Sequence, residues 1–244
     1  MKNTSIVNMT KPSGTSSRQP QSTQSTKKNS EDASSFEELY LAKDYKGAAQ
    51  FLLNNKQQFD SGIFHFNLGT VYSKMGDYPI ARFHLEKAIQ EGYVNSASLN
   101  NLNFIRSQNN NEDLTTSSSL PDKIIDSLSS LPSQGYISLT LALILLSLLL
   151  IKSKIVKQKI SIMLILLLSF SPLALSHFYV EKLNKAITLN EVVIYEGPSK
   201  IFNEKGKLKP GSKIILGDFK DGWFYIKFPI SFAGWISKDQ LGLY

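Results

Sequence analysis

Two long apolar runs lie near the middle of the chain, at positions 131–151 and 160–180, and neither contains Asp, Glu, Lys or Arg. A helix rises about 1.5 Å per residue, so each run would form a helix about 30 Å long, which matches the hydrocarbon core of a bilayer. The pattern predicts two transmembrane helices. The alternative, a buried helical hairpin in a soluble protein, is disfavoured because no other part of the chain is large enough to cover both helices.

The connector between these runs, 152–159, is strongly basic and carries no acidic residue. Its lysines are Lys152, Lys154, Lys157 and Lys159. Short lysine-rich loops are retained in the cytoplasm, so this segment is predicted to be a cytoplasmic loop with both flanking domains outside. The segment 1–33 lacks the apolar core of a secretory signal. For that reason a second topology, with both domains in the cytoplasm, stays open.

Polar residues dominate two further segments. Positions 1–33 consist mainly of Ser, Thr, Gln and Lys, and this composition predicts a disordered tail because it offers too little apolar surface to offset the entropy of ordering. Positions 108–130 are predicted to be a linker before the first membrane helix. Near its end Ile124, Ile125 and Leu128 recur at helical spacing. An interfacial helix and an irregular linker are both compatible with that spacing.

The segment 34–107 carries a helix–turn–helix pattern. Small, apolar and turn residues recur in it at fixed places: Leu68, Gly69, Tyr72, Gly76, Asp77, Tyr78, Ala81, Leu85 and Ala88. Gly69, Ala81 and Ala88 are small where two helices must approach closely, and Gly76 allows a tight turn. The pattern resembles the tetratricopeptide repeat. With a partial repeat before it and a further first helix after it, the resemblance implies an α-helical module of about two repeats.

The resemblance also implies a surface that binds a partner protein or peptide. The first helices of such repeats line a concave face, which in this sequence includes Ile63, Phe66, Asn67, Thr70, Ser73 and Lys74. The carboxylate-binding version of the family has a lysine and an asparagine at the places held here by Phe66 and Thr70. We therefore expect an apolar-anchored partner. Packing of this face against the protein's own neighbours is the alternative that stays open.

The C-terminal segment, 186–244, has short β-branched and aromatic runs separated by Gly, Pro, Asp and Lys, which is typical of a small all-β domain. Strands are predicted at Val192–Tyr195, Ser212–Asp218, Trp223–Phe228 and Ala233–Ile236. Asp221–Gly222 is a strong hairpin signal between two of them. The sequence as a whole therefore predicts a multi-domain protein with a helical module, a two-helix membrane hairpin and a small all-β barrel.

The order of small and aromatic residues in this segment resembles the bacterial SH3-like domain. The residues that carry the likeness are Gly222, Trp223, Gly234 and Trp235. In that family these tryptophans, together with the residue at Ile226, mostly serve the barrel core, so the structural interpretation is favoured over a ligand groove. Relatives of the fold bind peptides or cell-wall glycopeptide.

Little in the sequence indicates catalysis. The chain has no cysteine, which excludes disulfides, zinc–thiolate sites and thiol nucleophiles. His65, His84 and His177 are not at metal-ligand spacing, and no nucleotide-binding or nucleophile motif occurs. The formal charge of +7 is spread thinly outside 152–159, so nucleic acid is not an expected partner. We expect no enzymatic activity, no catalytic or metal-binding residue and no cofactor.

Helical repeats, a membrane hairpin with a lysine loop and an SH3-like barrel, in this order, resemble the BatE-type proteins. These are the membrane components encoded in bacterial aerotolerance operons beside von Willebrand A-domain proteins. The resemblance implies a two-pass inner-membrane scaffold in an envelope-stress complex, with both soluble domains periplasmic and other membrane or envelope proteins as partners. The alternative is an envelope receptor whose SH3-like domain binds peptidoglycan or a cell-wall peptide.

Overall fold

The computed structural model describes residues 35–108, 111–155 and 157–244. Within these ranges a helical part comes first and a seven-stranded antiparallel sheet comes last. The predicted organisation, helices followed by a small β part, is confirmed at this level. The tail predicted at 1–33 lies outside the described residues.

Residues 35–108 form the helical module, which consists of antiparallel helices joined by short turns. Its helices are α1 (35–41), α2 (Tyr45–Asn54), α3 (Ser61–Met75), α4 (Tyr78–Gln90) and α5 (Ser96–Gln108). The side chains of Asp44, Asp60 and Asp77 cap α2, α3 and α4 by accepting backbone N–H groups of the first turn. Gly76 ends α3 with φ 81°, a conformation that glycine adopts without strain. Short polar residues therefore fix where each helix begins and ends.

Helix α3 packs against α4 and takes part in two buried clusters of the helical module. Leu68 lies in the cluster with α1 and α2, and Ala81, Leu85 and Ala88 lie in the cluster with α5; all four are completely buried. A Cβ atom added at Gly69 would lie 2.7 Å from Cγ of Leu85, so the close approach of the two helices requires glycine at this position. The small residues singled out in the sequence thus set the distance between α3 and α4.

The connecting segment, 111–130, is packed structure and contains the helix α6 (Leu120–Ser130). Ile125 is buried in a cluster with Leu114 and Ile215, and Ile215 belongs to the sheet. Ile124, the preceding residue of α6, is 58% exposed. Of the two alternatives left open by the sequence, a helix is therefore the one observed, and its buried face packs on protein.

An apolar hairpin follows. It consists of α7 (Ser133–Lys152), α8 (Lys159–Ser169) and α9 (Ser171–Phe178), and a 3-10 turn at Val180–Lys182 ends it. Two helical stretches, Ser133–Lys152 and Lys159–Lys182, are long and apolar enough to cross a membrane. The hydroxyl oxygens of Ser147 and Ser169 lie 2.7 Å apart between the two arms. Each hydroxyl also lies 2.8 Å from a carbonyl oxygen of its own helix. Because a hydroxyl has one proton, one serine donates to its own helix and accepts from the other, which donates across the hairpin.

Residues 184–244 form the β-domain. Its strands are β1 (Asn184–Thr188), β2 (Val192–Tyr195), β3 (Glu204–Leu208), β4 (Lys213–Lys220), β5 (Trp223–Phe228), β6 (Trp235–Ser237) and β7 (Leu241–Leu243). They pair in the order β3-β2-β6-β5-β4-β1-β7. The core consists of Ala186, Val192, Ile194, Leu208, Ile214, Leu216, Ile226 and Ile236. Asp221 and Gly222 have φ 48° and 86°, as the two-residue turn between β4 and β5 requires.

Candidate functional site

The helical module and the β-domain pack directly on each other. Helix α4 lies along β1 and β7, and the ring of Phe83 covers Gly242, where an added Cβ would lie 2.6 Å from the ring. The rings of Phe83 and Tyr244 are in edge contact, with centroids 6.4 Å apart. We call the helical module, the connecting segment and the β-domain together the head.

A buried arginine joins the three parts of the head. Nη1 of Arg82 donates to Oδ2 of Asp113 at 2.6 Å and to the carbonyl oxygen of Gly211 at 2.7 Å. Arg82 is 1% exposed and Asp113 is 2% exposed. The same Asp113 oxygen accepts the backbone N–H of Lys213 at 3.0 Å. One ion pair therefore ties α4 to the connecting segment and to the start of β4.

A second set of charges surrounds Glu86, one turn further along α4. Oε1 of Glu86 accepts from Nη2 of Arg106 at 2.8 Å, and Oε2 lies 3.8 Å from Nζ of Lys213. Lys213 donates to Oδ1 of Asp126 at 2.9 Å. Burial alone would raise the pKa of Glu86, but Lys213, Arg106 and Arg82 outweigh it and lower the pKa to about 2. Glu86 is therefore a carboxylate at neutral pH.

Lys185 is a further buried cation of the head. It is 2% exposed, and its Nζ donates to Oε1 of Gln90 at 2.5 Å and to the carbonyl oxygen of Ser129 at 2.8 Å. Burial and the nearby Lys213 lower the pKa of Lys185 to about 8. The charged groups of this interface, which we call the junction network, are Arg82, Glu86, Arg106, Asp113, Asp126, Lys185 and Lys213.

Two residues predicted to line the concave face of the helical module are buried. Phe66 is 8% exposed and packs in the core between α4 and α5, with its ring centroid 5.0 Å from that of Tyr93. Asn67 is 5% exposed, and its Nδ2 has no hydrogen-bond partner. Phe66 and Asn67 consequently support the module from inside and are not presented to a partner in this conformation.

The other predicted residues of that face remain accessible. Oγ1 of Thr70 accepts from Nδ2 of Asn101 at 3.1 Å, which joins α3 to α5 on this side of the module. Ile63, Thr70 and Ser73 are half-buried, and Lys74 is exposed. The accessible part of the face therefore runs along α3 towards its C-terminal end and is bordered by α5.

The two tryptophans of the β-domain lie outside its core, contrary to the structural interpretation of the sequence. Ile226 on β5 is completely buried, whereas Trp223 on the same strand is half-buried on the opposite face. Trp235 pairs with Tyr195 across β2 and β6, and its ring packs against that of Tyr225 at 5.5 Å. Side chains alternate between the two faces of a strand, so Trp223 lies on the face opposite Ile226. The prediction that Trp223 belongs to the core came from the likeness to the SH3-like domain and not from this alternation.

Trp223 and Tyr195 border a cleft of about 250 Å³. It is lined by Val193, Tyr195, Lys200, Trp223, Ser237, Asp239 and Gln240. The rings of Tyr195 and Trp223 meet edge to face, with centroids 5.4 Å apart. Lys200 and Asp239 are exposed at the cleft, and neither has an ion-pair partner among the described residues. The cleft thus combines an aromatic wall with an available cation and an available carboxylate.

The histidines are placed for packing. Nδ1 of His65 and Nδ1 of His84 lie 2.8 Å apart, so one ring donates a hydrogen bond to the other. Burial and neighbouring charges lower the pKa of His65 to about 4 and that of His84 to about 3, which keeps both rings neutral at neutral pH. His177 is exposed beside Glu181. In the part of the chain that the structure describes, no cluster of three or more metal-ligating side chains occurs.

The lysines predicted to set the topology lie together at the end of the apolar hairpin. Lys152 is the last residue of α7 and Lys159 is the first residue of α8. All the lysines of 152–159 are exposed, and we call this segment the lysine tip. Comparison of the chain with protein-family models, with curated proteins and with solved structures finds no match.

Proposed function

We propose that this chain is a non-enzymatic, membrane-anchored scaffold that presents its helical module to a partner protein. The observation that carries the proposal is the buried contact of Arg82 with Asp113 and Gly211, which holds α4 against the β-domain. Because that side of the module is occupied within the chain, the side formed by α1, α3 and α5 is the one left for a partner. In this proposal the module is of the tetratricopeptide type, the β-domain is SH3-like and the chain is BatE-type.

The same contact bears on the proposed topology. Arg82 precedes the apolar hairpin in sequence and Gly211 follows it, and a buried hydrogen bond between them requires both to be on one side of a bilayer. A hairpin that crosses the bilayer twice satisfies this requirement. With the lysine tip in the cytoplasm, the head lies in the periplasm.

The proposed partner surface has an apolar and a basic component. Ile63 on α3 is half-buried, and Lys74 at the end of the same helix is exposed. On α5, Phe104 is 48% exposed and lies three residues after Asn101, which contacts α3. A partner that offers an apolar anchor beside an acidic group fits this surface.

Cysteine labelling tests the topology, since the chain has no cysteine of its own. Ser96→Cys and Ser231→Cys place a thiol at exposed positions of the helical module and the β-domain, and Ser153→Cys places one in the lysine tip. A maleimide that does not cross the inner membrane should label the first two variants in intact cells and the third only after lysis. Labelling of Ser96→Cys and Ser231→Cys from opposite sides would contradict the packing of the head.

Co-purification from crosslinked membranes tests the partner surface. Replacement of the exposed pair, Phe104→Asp with Lys74→Glu, should abolish recovery of the partner that the parent chain recovers. The control, Lys227→Glu, reverses the charge of an exposed lysine on the β-domain, away from this surface, and should leave recovery unchanged. Equal loss in both variants, or in neither, would argue against the proposed surface.

The cleft of the β-domain favours a second function, recognition of a short peptide or cell-wall glycopeptide. Aromatic side chains stack on such ligands, and Lys200 and Asp239 offer charges for their ionic groups. Trp223 and Trp235 are the only tryptophans of the chain, so Trp235→Phe leaves a single fluorescent reporter in the cleft. Soluble cell-wall fragments should change its emission, and Asp239→Asn should weaken that response. An unchanged emission at millimolar fragment would exclude this function.

A further inference from the structure

The lysine tip is a positive patch without compensating charge. Its lysines are exposed, and none has an ion-pair partner among the described residues. In the sequence, no aspartate or glutamate occurs between Asp126 and Glu181. An acidic group that balances the tip must therefore come from outside the hairpin.

The position of the tip indicates where that group lies. Lys152 and Lys159 are the residues at which two apolar helices end, so their ammonium groups leave the hydrocarbon core at the depth of the phospholipid headgroups. The aliphatic part of a lysine side chain extends along apolar surface while its ammonium group stays in the polar layer. Lys154 and Lys157 lie between them in sequence, and both side chains are exposed.

We propose that the lysine tip binds anionic phospholipid headgroups, with lipid phosphates as the direct partners of its ammonium groups. The inference rests on the membrane insertion proposed above. A lysine near an anionic membrane surface strengthens association by roughly fivefold. The four lysines therefore favour anionic over zwitterionic lipid by at least about tenfold, even where their effects overlap.

Lipid titration of the full chain in uncharged detergent tests this binding. An environment-sensitive fluorophore on Ser153→Cys reports from the tip, and phosphatidylglycerol is compared with phosphatidylcholine of the same acyl chains. Phosphatidylglycerol should shift the emission at about one tenth or less of the concentration that phosphatidylcholine requires. High salt should weaken the response, because the charges are exposed and screened.

Three variants identify the groups responsible. Replacement of all tip lysines by Gln should abolish the preference for phosphatidylglycerol, whereas replacement by Arg should preserve it because the charge is kept. The matched control replaces four exposed lysines of the head, Lys43, Lys46, Lys220 and Lys227, by Gln and should leave the preference unchanged. An equal loss in the control would overturn the proposal.

Other anions give outcomes of their own. If inorganic phosphate or glycerol phosphate produces the same shift at the same concentration, the tip is a simple anion site and the lipid assignment is wrong. Tighter binding of a short DNA duplex than of phosphatidylglycerol would indicate that the partner of the tip is nucleic acid and not lipid. Equal responses to both lipids would also refute the proposal.

Vesicle flotation separates this inference from the membrane anchoring on which it rests. The chain should float with vesicles of pure phosphatidylcholine and resist alkaline extraction if the hairpin inserts. Failure to float refutes the anchoring itself. Flotation without any preference for phosphatidylglycerol in the titration refutes the lipid site alone.

Discussion

The junction network and the lysine tip are both rich in charge, but the charges are mostly buried in the first and exposed in the second. In the junction network Arg82 and Asp113 are withdrawn from water and meet at 2.6 Å. In the tip the lysines stay in solvent and meet no carboxylate of the hairpin. A buried charge depends on its partner inside the chain, whereas an exposed charge depends on its surroundings. Removal of one member of a buried pair should therefore destabilise the head, whereas removal of a lysine of the tip should leave the fold intact.

The largest effect is expected from Arg82→Ala. The variant leaves Asp113 buried without its ion-pair partner, which costs about 3–5 kcal/mol when a buried pair is broken. Denaturant unfolding of the full chain in detergent, followed by fluorescence of the two tryptophans of the β-domain, measures this loss.

The control for Arg82 is an exposed ion pair of the same head. Lys207 and Glu191 lie 2.9 Å apart with more than half of each side chain exposed, so Lys207→Ala should leave the unfolding midpoint unchanged within error.

A double-mutant cycle tests the pairing of Arg82 with Asp113 directly. The double variant, Arg82→Met with Asp113→Asn, should lose less unfolding free energy than the two single variants lose together. Strict additivity would show that the two side chains do not interact.

A smaller effect is expected from pH, through Lys185. Its pKa is about 8 in the head and 10.5 in an unfolded chain, so between these values the unfolded state binds more protons. The free energy of unfolding should therefore rise as the pH increases from 8, by at most about 1.4 kcal/mol per unit. Below pH 8 Lys185 is protonated in both states and contributes no slope.

Two comparisons isolate the contribution of Lys185. Lys185→Met removes the titrating group and should flatten the stability profile between pH 8 and 9.5. Burial raises the pKa of Tyr244 well above its ordinary value, so Tyr244 works in the opposite direction, and only at higher pH. A slope in the Lys185→Met variant equal to that of the parent chain would assign the effect to another group.

Smaller still is the expected effect of Ser147→Ala in the apolar hairpin. The variant removes a neutral hydrogen bond with Ser169 at 2.7 Å, and such bonds between membrane helices contribute about 0.6 kcal/mol on average. A double-mutant cycle with Ser169→Ala in detergent measures the coupling. A coupling above about 2 kcal/mol would contradict the expectation that this neutral hydrogen bond contributes less to stability than the buried ion pair of Arg82 and Asp113.

No change in head stability is expected when the lysines of the tip are replaced by Gln. They have no partner within the described chain, and substitutions of this kind leave unfolding free energies within about 0.5 kcal/mol. The denaturation midpoint of this variant in detergent should equal that of the parent chain. A shift comparable to that of Arg82→Ala would mean that the tip contributes to the folding of the head.

The elements with a strong local pattern could be predicted from the sequence. The two apolar runs correspond to α7 and to α8 with α9, and the runs at Val192–Tyr195 and Trp223–Phe228 correspond to β2 and β5 with the same bounds. β1, β3 and β7 are not among the predicted strands. In β1, Asn184–Thr188, only Ile187 and Thr188 are β-branched, and the strand follows the second apolar run closely. The sequence of Glu204–Leu208 contains no β-branched residue, and Leu241–Leu243 is too short to show an alternation. These strands form because neighbouring strands pair with them.

The junction network could not be predicted, because its members are far apart in sequence. Arg82 and Gly211 are separated by 129 positions. Within α4, Arg82 and Glu86 are charged residues one turn apart, a pattern that by itself indicates a solvent-facing side of a helix. Likewise, Lys185 and Lys213 have no local feature that distinguishes them from surface lysines of a strand. These residues become buried only because α4 packs on the sheet.

The packing of α4 on β1 and β7 also determines the order in which the chain can mature during synthesis. Arg82 leaves the ribosome long before the β-domain is synthesised, so the charged side of α4 stays exposed to water until the strands that cover it emerge. Insertion of the apolar hairpin into the membrane would bring the helical module and the β-domain close together, which lowers the entropy lost when they pack on each other. A nascent chain that stalls before Asn184 would be the species most in need of a chaperone.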